Sequence, residues 1–229
     1  MGDMLNINFT RPIPLFPLPD CVLLPHATVP LHIFEQRYRT MTHNTLESSG
    51  LIAMATFQGS SWKKDYQKNP PIREYVCVGV IIRHECLQDG RYNILLQGLC
   101  RARILKEIEN PPYRVAALEP TGISIPMEID LEDRRNRLEQ LLADPLLLQL
   151  RSVGEIRNLI NSEIPTTVMV DLVILATSTT AEERYAMLAQ PDPQARADWL
   201  ETYLRQTRQT IRIAGQTGTS ISKDGFYLN

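Results

Sequence analysis

The chain has 229 residues, of which 43% are hydrophobic and 22% charged, and its formal net charge is −2. These values are typical of a soluble globular protein, and no basic excess points to nucleic-acid binding. No apolar run approaches the roughly 18 residues that cross a membrane, and the N-terminus lacks the apolar segment of a signal peptide.

The first predicted elements lie in the proline-rich stretch PLFPLPDCVLLPHATVPLHIFEQRYRTM, residues 14–41. Proline cannot donate to a sheet ladder, so Pro19 and Pro25 mark the edges of a short predicted strand over Cys21–Leu24. Apolar residues then recur at near-helical intervals, which predicts a helix from Glu35 to Glu47 packed on the sheet. The apolar residues of the stretch are predicted to be core: Leu15, Phe16, Val22, Leu23, Val29, Leu31, Ile33 and Phe34.

Closely spaced β-type runs follow, and they predict a small barrel or a strongly curved sheet. Asp89-Gly90 lies between two of these runs and predicts a tight two-residue hairpin, because glycine adopts a positive φ without steric cost. The predicted strands are Leu51–Phe57, Tyr75–Arg83, Tyr92–Gln97, Arg101–Ile108 and Tyr113–Glu119.

From Met127 onward the apolar residues follow a helical period. The segments Ser152–Glu155 and Thr179–Glu182 each have the letters of a capping box, which predicts that a helix begins at each of them. The apolar residues that define the first and last helices are Leu131, Leu138, Leu141 and Leu142, and then Trp199, Leu200, Tyr203 and Leu204.

The other helix boundaries are predicted from caps and breakers. Thr166 or Thr167 is predicted to cap an apolar, buried helix over Val168–Ala176. Asp192-Pro193 is typical of a helix start and opens the last helix, and Gly215 is predicted to follow its end.

No catalytic or metal-binding motif is present. The phosphate-binding and dinucleotide-binding glycine motifs are absent. The four cysteines form no C-x-x-C pair, so they are predicted to be free thiols of a cytoplasmic protein. Glu35 lies near His32, but no nucleophile accompanies this pair. We therefore expect a protein that is not an enzyme and that binds no cofactor or metal.

Two polar segments are candidate contact surfaces. The segment Glu35–Arg39 is interpreted as a solvated helix face with local ion pairs, and the alternative is a phosphate or RNA contact. The loop Gln58–Pro71 carries Trp62 and Tyr66, and two interpretations stay open for them. Both aromatics fold back on the sheet, or both are exposed contact residues.

The order of these segments resembles a known family. PLFPLPDCVLLPHATVPLHIFEQRYR resembles the opening of the N-terminal domain of Lon-type ATP-dependent proteases, and of stand-alone proteins built from that domain. YVCVGVIIRHECLQDGRYNILLQGLCRARI and PYRVAALEP are similar to later strands of the same domain. The resemblance covers about residues 9–212.

The resemblance implies an α+β fold, with an N-terminal PUA-like β-barrel that carries one packed helix and a C-terminal helical bundle after it. The corresponding division is an N-terminal arm over residues 1–8, the barrel over 9–122, the bundle over 127–213 and a flexible tail over 214–229.

For function, the resemblance implies a non-enzymatic module that binds unfolded or tagged polypeptide, with a separate ATPase or protease as a further partner. We expect neither the ATPase nor the peptidase module of the full protease. The alternative is an RNA- or small-ligand-binding protein, in which Arg37, Arg39, Arg101 and Arg103 would form the basic surface; the net charge of −2 counts against RNA. The predicted peptide-binding residues are Glu35, Gln36, Arg37, Trp62 and Tyr66.

Overall fold

The structure is a computed structural model that describes residues 7–60, 62–66, 69–109, 112–122, 126–160 and 164–217. The chain divides into two compact units between residues 123 and 124. The first contains a mixed sheet with two helices, and the second is helical throughout its regular elements. The predicted α+β class is confirmed.

The first unit consists of β1 Ile13–Leu18, β2 Thr28–Ile33, α1 Gln36–Leu46, β3 Leu51–Thr56, α2 Trp62–Asp65, β4 Tyr75–Cys86, β5 Tyr92–Ile108 and β6 Val115–Thr121. Its six strands form one sheet in the order β2-β5-β4-β3-β1-β6, in which β6 also pairs with β5. Five strands therefore close on themselves, while β2 pairs with β5 outside this ring. The pair β1–β3 is parallel and the other pairs are antiparallel. The sequence predicts a small barrel or a strongly curved sheet, and the observed ring with the added strand β2 and one parallel pair is not a regular barrel.

The interior of the ring holds the side chains that alternate along its strands. Every residue of β3 is buried, as expected for a strand that is covered on both faces. On the other side of β1, Phe16 meets Tyr38 of α1 edge-to-face with 4.6 Å between ring centroids. The ring interior is lined by Ile13, Leu15, Leu51, Ala53, Ala55, Val76, Val78, Cys100, Ala102, Ala116 and Leu118.

Strand β5 is a single strand, whereas the sequence predicts two strands with a break near Gly98. The turn before β2 lies against Gly98: the His26 N–H donates to the Gly98 carbonyl oxygen at 2.9 Å, and the Gly98 N–H donates to the Ala27 carbonyl oxygen at 2.8 Å. A Cβ on Gly98 would lie 2.3 Å from the Leu24 carbonyl oxygen. The glycine therefore marks a close approach of two backbones rather than a strand end.

The prediction of a strand over Cys21–Leu24 is wrong, because this segment leads into the same turn and is not a strand. Val22 and Leu23 are nevertheless buried, as predicted for core residues, and Leu24 is buried as well. The segment runs as irregular backbone into the turn at His26, which has a positive φ of 68°.

The hairpin between β4 and β5 has a longer loop than predicted. The Leu87 N–H donates to the Arg91 carbonyl oxygen at 2.8 Å, and the Gly90 N–H donates to the Leu87 carbonyl oxygen at 2.9 Å. Gly90 has a φ of 77°, but Asp89 is not in the positive-φ region that a two-residue type I′ turn needs at both central positions. The result is a three-residue loop with the glycine in the left-handed conformation.

The second unit consists of α3 Glu128–Leu142, α4 Arg151–Ile160, α5 Thr166–Thr177, α6 Ala181–Ala189 and α7 Pro193–Thr217, with a 3-10 turn over Leu147–Gln149. The predicted apolar face of α3 is confirmed, since its buried residues include Leu131, Leu138 and Leu142. Leu200 and Leu204 of α7 are also buried, as predicted.

Ion pairs connect α3 to α7. Arg134 pairs with Asp198 at 2.7 Å and Arg137 pairs with Glu201 at 2.9 Å, and in each pair the partners are 64 residues apart. A third pair, Arg208 with Asp144, lies just past the end of α3. Because the partners advance together along both helices, α3 and α7 are parallel.

Three predicted helix starts are wrong in detail. Ser152 lies inside α4, which begins at Arg151, so its letters do not form a capping box. Thr166 lies inside α5 and Pro165 is the N-cap. The second capping box exists but is shifted by one residue: the Glu183 N–H donates to the Thr180 hydroxyl at 3.1 Å, and the Thr180 N–H donates to the Glu183 carboxylate at 3.1 Å.

The last helix begins where it was predicted and ends later. The Gln194 N–H donates to the Asp192 carboxylate at 2.9 Å, which confirms Asp192 as a cap. Gly215 lies within α7, which continues to Thr217, so the predicted end is wrong. The rest of the predicted tail, from residue 218, lies outside the described residues, as does most of the predicted N-terminal arm, residues 1–6.

Candidate functional site

The chain turns outward at the junction between β2 and α1. Successive side chains of a strand point to opposite faces. Ile33, the last residue of β2, is 2% exposed, and Phe34 after it is 60% exposed. The prediction that Phe34 belongs to the core is therefore wrong, since only one of two successive residues at this position can point inward. Alternation along β2 is the sequence signal that could have identified it.

Helix α1 begins at Gln36, in agreement with the helix predicted over Glu35–Glu47. Glu35 is its N-cap, and the Glu35 carbonyl oxygen accepts the N–H groups of Tyr38 and Arg39 at 3.0 and 2.8 Å. The Glu35 side chain caps no backbone group of the helix. It is therefore available to contact other elements.

Glu35, Arg37, Tyr38 and Tyr66 form one group of contacts, which we call the Arg37 cluster. The Tyr66 hydroxyl donates to Glu35 Oε1 at 2.6 Å, and Arg37 Nε donates to Glu35 Oε2 at 3.1 Å. The Arg37 guanidinium carbon lies 4.6 Å from the centre of the Tyr38 ring and 4.7 Å from the centre of the Tyr66 ring. The structure thus brings together three of the five predicted site residues.

Burial shapes the chemistry of this cluster. Burial, and then the hydrogen bond to Glu35, raise the pKa of Tyr66, so its phenol stays protonated at neutral pH and acts as the donor. Burial likewise raises the pKa of Tyr38 above its ordinary value. Both Glu35 oxygens accept hydrogen bonds from within the chain, and the Arg37 guanidinium is held by its Nε bond and by the two rings, while its buried Nη2 has no hydrogen-bond partner among the described residues. The cluster therefore fixes the position of the loop against α1.

Trp62 and Tyr66 both pack against Phe57 at the end of β3. The Phe57 and Trp62 rings are stacked with 5.6 Å between centroids, and the Phe57 and Tyr66 rings meet at 70° with 5.8 Å between centroids. Both side chains are half-buried. Of the two interpretations left open by the sequence, the structure has the loop folded back on the sheet. Gln36 is the one predicted site residue that is exposed.

A chain of hydrogen bonds crosses β2, β5 and β4 beside Phe34. His32 is opposite Asn93, and Asn93 is opposite Glu85. His32 Nδ1 lies 2.8 Å from Asn93 Oδ1, and Asn93 Nδ2 donates to Glu85 Oε2 at 2.9 Å. The His32 ring also stacks on Phe34, with 6.2 Å between centroids and 23° between planes. We call His32, Phe34, Glu85 and Asn93 the junction surface.

The four arginines proposed for RNA do not form an exposed basic surface. Arg101 is 6% exposed. Arg103 pairs with Glu119 at 2.8 Å, and Arg39 Nε donates to the Gly90 carbonyl oxygen at 2.7 Å. Arg37 belongs to the Arg37 cluster. Phosphate contacts need unengaged cationic groups on one face, so these positions do not favour RNA.

Within the described ranges, no group of three or more histidine, cysteine or acidic residues could hold a metal ion. Over the same ranges, no helix has the length and apolar character needed to cross a membrane.

A family model described as the ATP-dependent protease La (LON) substrate-binding domain matches residues 12–206. Lon protease of Chloroherpeton thalassium is 21% identical over 219 residues, which are 96% of this chain and 26% of that protein. Lon protease 2 of Bdellovibrio bacteriovorus is 26% identical over 194 residues, which are 77% of this chain and 24% of that protein. The chain spans about a quarter of the length of the curated relatives it matches.

Solved structures show the same fold. The N-terminal domain of the Mycobacterium avium complex Lon protease matches with a TM-score of 0.64 at 17% identity, over 85% of this chain and 98% of that chain. A Lon N-terminal domain protein from Xanthomonas campestris matches with a TM-score of 0.58 at 20% identity, over 84% of this chain and 98% of that chain.

Proposed function

The chain belongs to the family of the Lon substrate-binding domain, and from this premise we propose that it binds unfolded or tagged polypeptide without cleaving it. The resemblance seen in the sequence is confirmed by the family model. The match is to the substrate-binding part of Lon proteases, so ATP hydrolysis and peptide cleavage are not assigned to this chain. A separate ATPase or protease is the proposed acceptor of what it binds.

The exposed Phe34 ring carries the proposal for where binding occurs. Aromatic side chains are enriched among the residues that dominate binding energy at interfaces. Phe34 is held by the stack on His32 and by the start of α1, so little conformational entropy is lost when a partner covers it. The exposed Gln36 lies two residues further along the same segment. We propose that these two residues touch the polypeptide.

The other predicted site residues take a supporting role in this proposal. Glu35, Arg37 and Tyr66 hold the loop against α1 through the Arg37 cluster, and Trp62 adds its stack on Phe57. We propose that these residues affect binding indirectly, because they hold the loop in position beside Phe34 and Gln36.

The cellular location is part of the proposal. In the part of the chain that the structure describes, Cys21, Cys77, Cys86 and Cys100 form no disulfide bond. Free thiols are typical of a reducing compartment, which supports the cytoplasm.

The test measures binding of reduced, carboxymethylated α-lactalbumin, a permanently unfolded protein, by fluorescence anisotropy. Phe34→Ala is expected to weaken binding by about tenfold, since central aromatic residues of interfaces contribute roughly 1–2 kcal/mol or more. Leu105→Ala is the matched control, because Leu105 is a similarly exposed apolar residue of the same sheet, at 55%. Failure of the wild-type chain to bind at high micromolar concentration, or equal binding by Phe34→Ala, would refute the proposal.

A further inference from the structure

The hydrogen bonds of the junction surface have a fixed direction. Ionised Glu85 can only accept hydrogen bonds, so the neighbouring group of Asn93 must be its NH₂ group. The Asn93 oxygen then faces His32, and an oxygen can only accept. His32 Nδ1 must therefore carry a proton and donate across the 2.8 Å contact.

The direction of these hydrogen bonds determines the state of the other ring nitrogen of His32, Nε2. A neutral imidazole has one N–H and one lone pair. With the proton fixed on Nδ1, the lone pair is on Nε2, and His32 is exposed. Nε2 has no hydrogen-bond partner among the residues that the structure describes. The junction surface thus presents an oriented acceptor beside a large exposed apolar ring.

An unfolded polypeptide offers the matching pair of groups, since each apolar side chain stands next to a backbone N–H that is not used in secondary structure. We propose that His32 is a specificity-determining residue, whose Nε2 accepts an N–H of the bound polypeptide while an apolar side chain of the same segment packs on Phe34. This inference rests on the proposed function and adds the chemical requirement of the site: an apolar residue with a free N–H donor beside it.

Asn93 and Glu85 are positioning residues in this proposal, because they act through the tautomer of His32. Glu85→Lys replaces the acceptor with a donor. Asn93 would then turn its oxygen to the lysine and its NH₂ group to His32 Nδ1, and the ring proton would move to Nε2. The hydrogen bonds across the three strands remain, but the surface presents a donor in place of the acceptor.

The double variant Glu85→Gln with Asn93→Asp preserves the original direction. The glutamine NH₂ group donates to the new carboxylate, which accepts from His32 Nδ1, so Nε2 keeps its lone pair and the net charge is unchanged. Asp89→Lys is the control for charge, because it makes the same change as Glu85→Lys at an exposed position in the hairpin loop.

The experiment uses the full chain and the same unfolded α-lactalbumin at pH 8.5, above the range of about pH 5–8 in which histidine usually changes charge. The tautomer of His32 is measured by ¹⁵N NMR, and the fold of each variant by thermal unfolding. Glu85→Lys and His32→Phe are expected to weaken binding by about fivefold, which is the effect of one hydrogen bond. The double variant and Asp89→Lys are expected to bind within about twofold of wild type.

Wild-type affinity in both His32→Phe and Glu85→Lys, with Phe34→Ala still weakened, overturns this inference and leaves the proposed function standing. Equal weakening by Asp89→Lys and Glu85→Lys also overturns it, since charge alone would then account for the effect. If Phe34→Ala has no effect, the proposed function itself has failed.

Discussion

Replacing Gly98 with alanine tests how the first unit holds its edge strand. The new Cβ would lie 2.3 Å from the Leu24 carbonyl oxygen and 3.1 Å from Cys77 Sγ. The nearest atom belongs to the backbone, so no side-chain rotation relieves the contact. The turn before β2 must move away, and the two hydrogen bonds that join Gly98 to His26 and Ala27 lengthen or break.

The size of the effect follows from these contacts. Each buried backbone hydrogen bond contributes about 0.5–1.5 kcal/mol, and forcing an extra carbon into a packed site costs about 1–3 kcal/mol. Gly98→Ala is therefore expected to lower the free energy of unfolding of the first unit by about 4 kcal/mol. For a urea m-value of about 2 kcal/mol per molar, the midpoint falls by about 2 M.

The assay must separate the two units, and the chain provides one tryptophan in each of them. Trp62 is stacked on Phe57 in the first unit, so its fluorescence reports that unit once Trp199 is replaced by phenylalanine. Gly154→Ala is the matched control: its new Cβ meets nothing within 4 Å and it lies inside α4. In a Trp62→Phe background, Trp199 should report a stabilisation of about 1 kcal/mol from improved helix propensity. An unchanged Trp62 midpoint in Gly98→Ala would refute the reasoning about the backbone approach.

Two predictions concern the second unit, with Trp199 fluorescence as the measurement. Asp171→Ala should destabilise it by about 3–5 kcal/mol, because Arg196 is 5% exposed and loses the carboxylate that balances its charge, while the Gln190 and Pro191 carbonyl oxygens that it also contacts carry no full charge. A loss below about 1 kcal/mol would contradict this. The hydrogen bond from Arg134 lowers the pKa of Asp198, so the pair's stabilisation is complete above the unfolded pKa of about 3.9 and is lost as pH falls through the folded value. Asp198→Asn should therefore be less stable than wild type at neutral pH, and the difference should be under about 1 kcal/mol because the pair is exposed. Near pH 2 the variant and the wild type should be equally stable. A difference in stability that persists at pH 2 would exclude the ion pair as its cause.

Elements that are fixed by local patterns could be predicted from the sequence. The helix predicted over Glu35–Glu47 is observed as α1, with both of those residues as its caps. The start of α7 follows from Asp192 and Pro193, since a capping side chain and a fixed φ act within one turn. In these cases the residues that determine the structure are neighbours in the chain.

The wrong predictions arise where the contact that determines the structure is distant in the chain, or where neighbouring residues are equally suited to the same role. Gly98 suggests a strand break in the sequence, and only the structure shows that it permits the close approach of the Leu24 carbonyl oxygen to β5. The sequence TTAEE allows a capping box at Thr179 or at Thr180, because either threonine has a glutamate three residues later. The bond from Tyr66 to Glu35 joins residues 31 positions apart. The sequence therefore predicts both residues for the site without indicating that they touch.

The exposure of Phe34 follows from the register of β2 on β5. The backbone bonds between Gly98 and the preceding turn place Thr28 opposite Gln97, and the pairing continues to Ile33 opposite Tyr92. A slip by one residue would turn Ile33 to solvent and His32 inward, away from Asn93. Burial of Ile33 and the hydrogen bonds of His32 thus favour the same register, and that register leaves Phe34 outside the core. Since Gly98 anchors this register, Gly98→Ala should weaken polypeptide binding as well as stability, although it touches no residue of the junction surface.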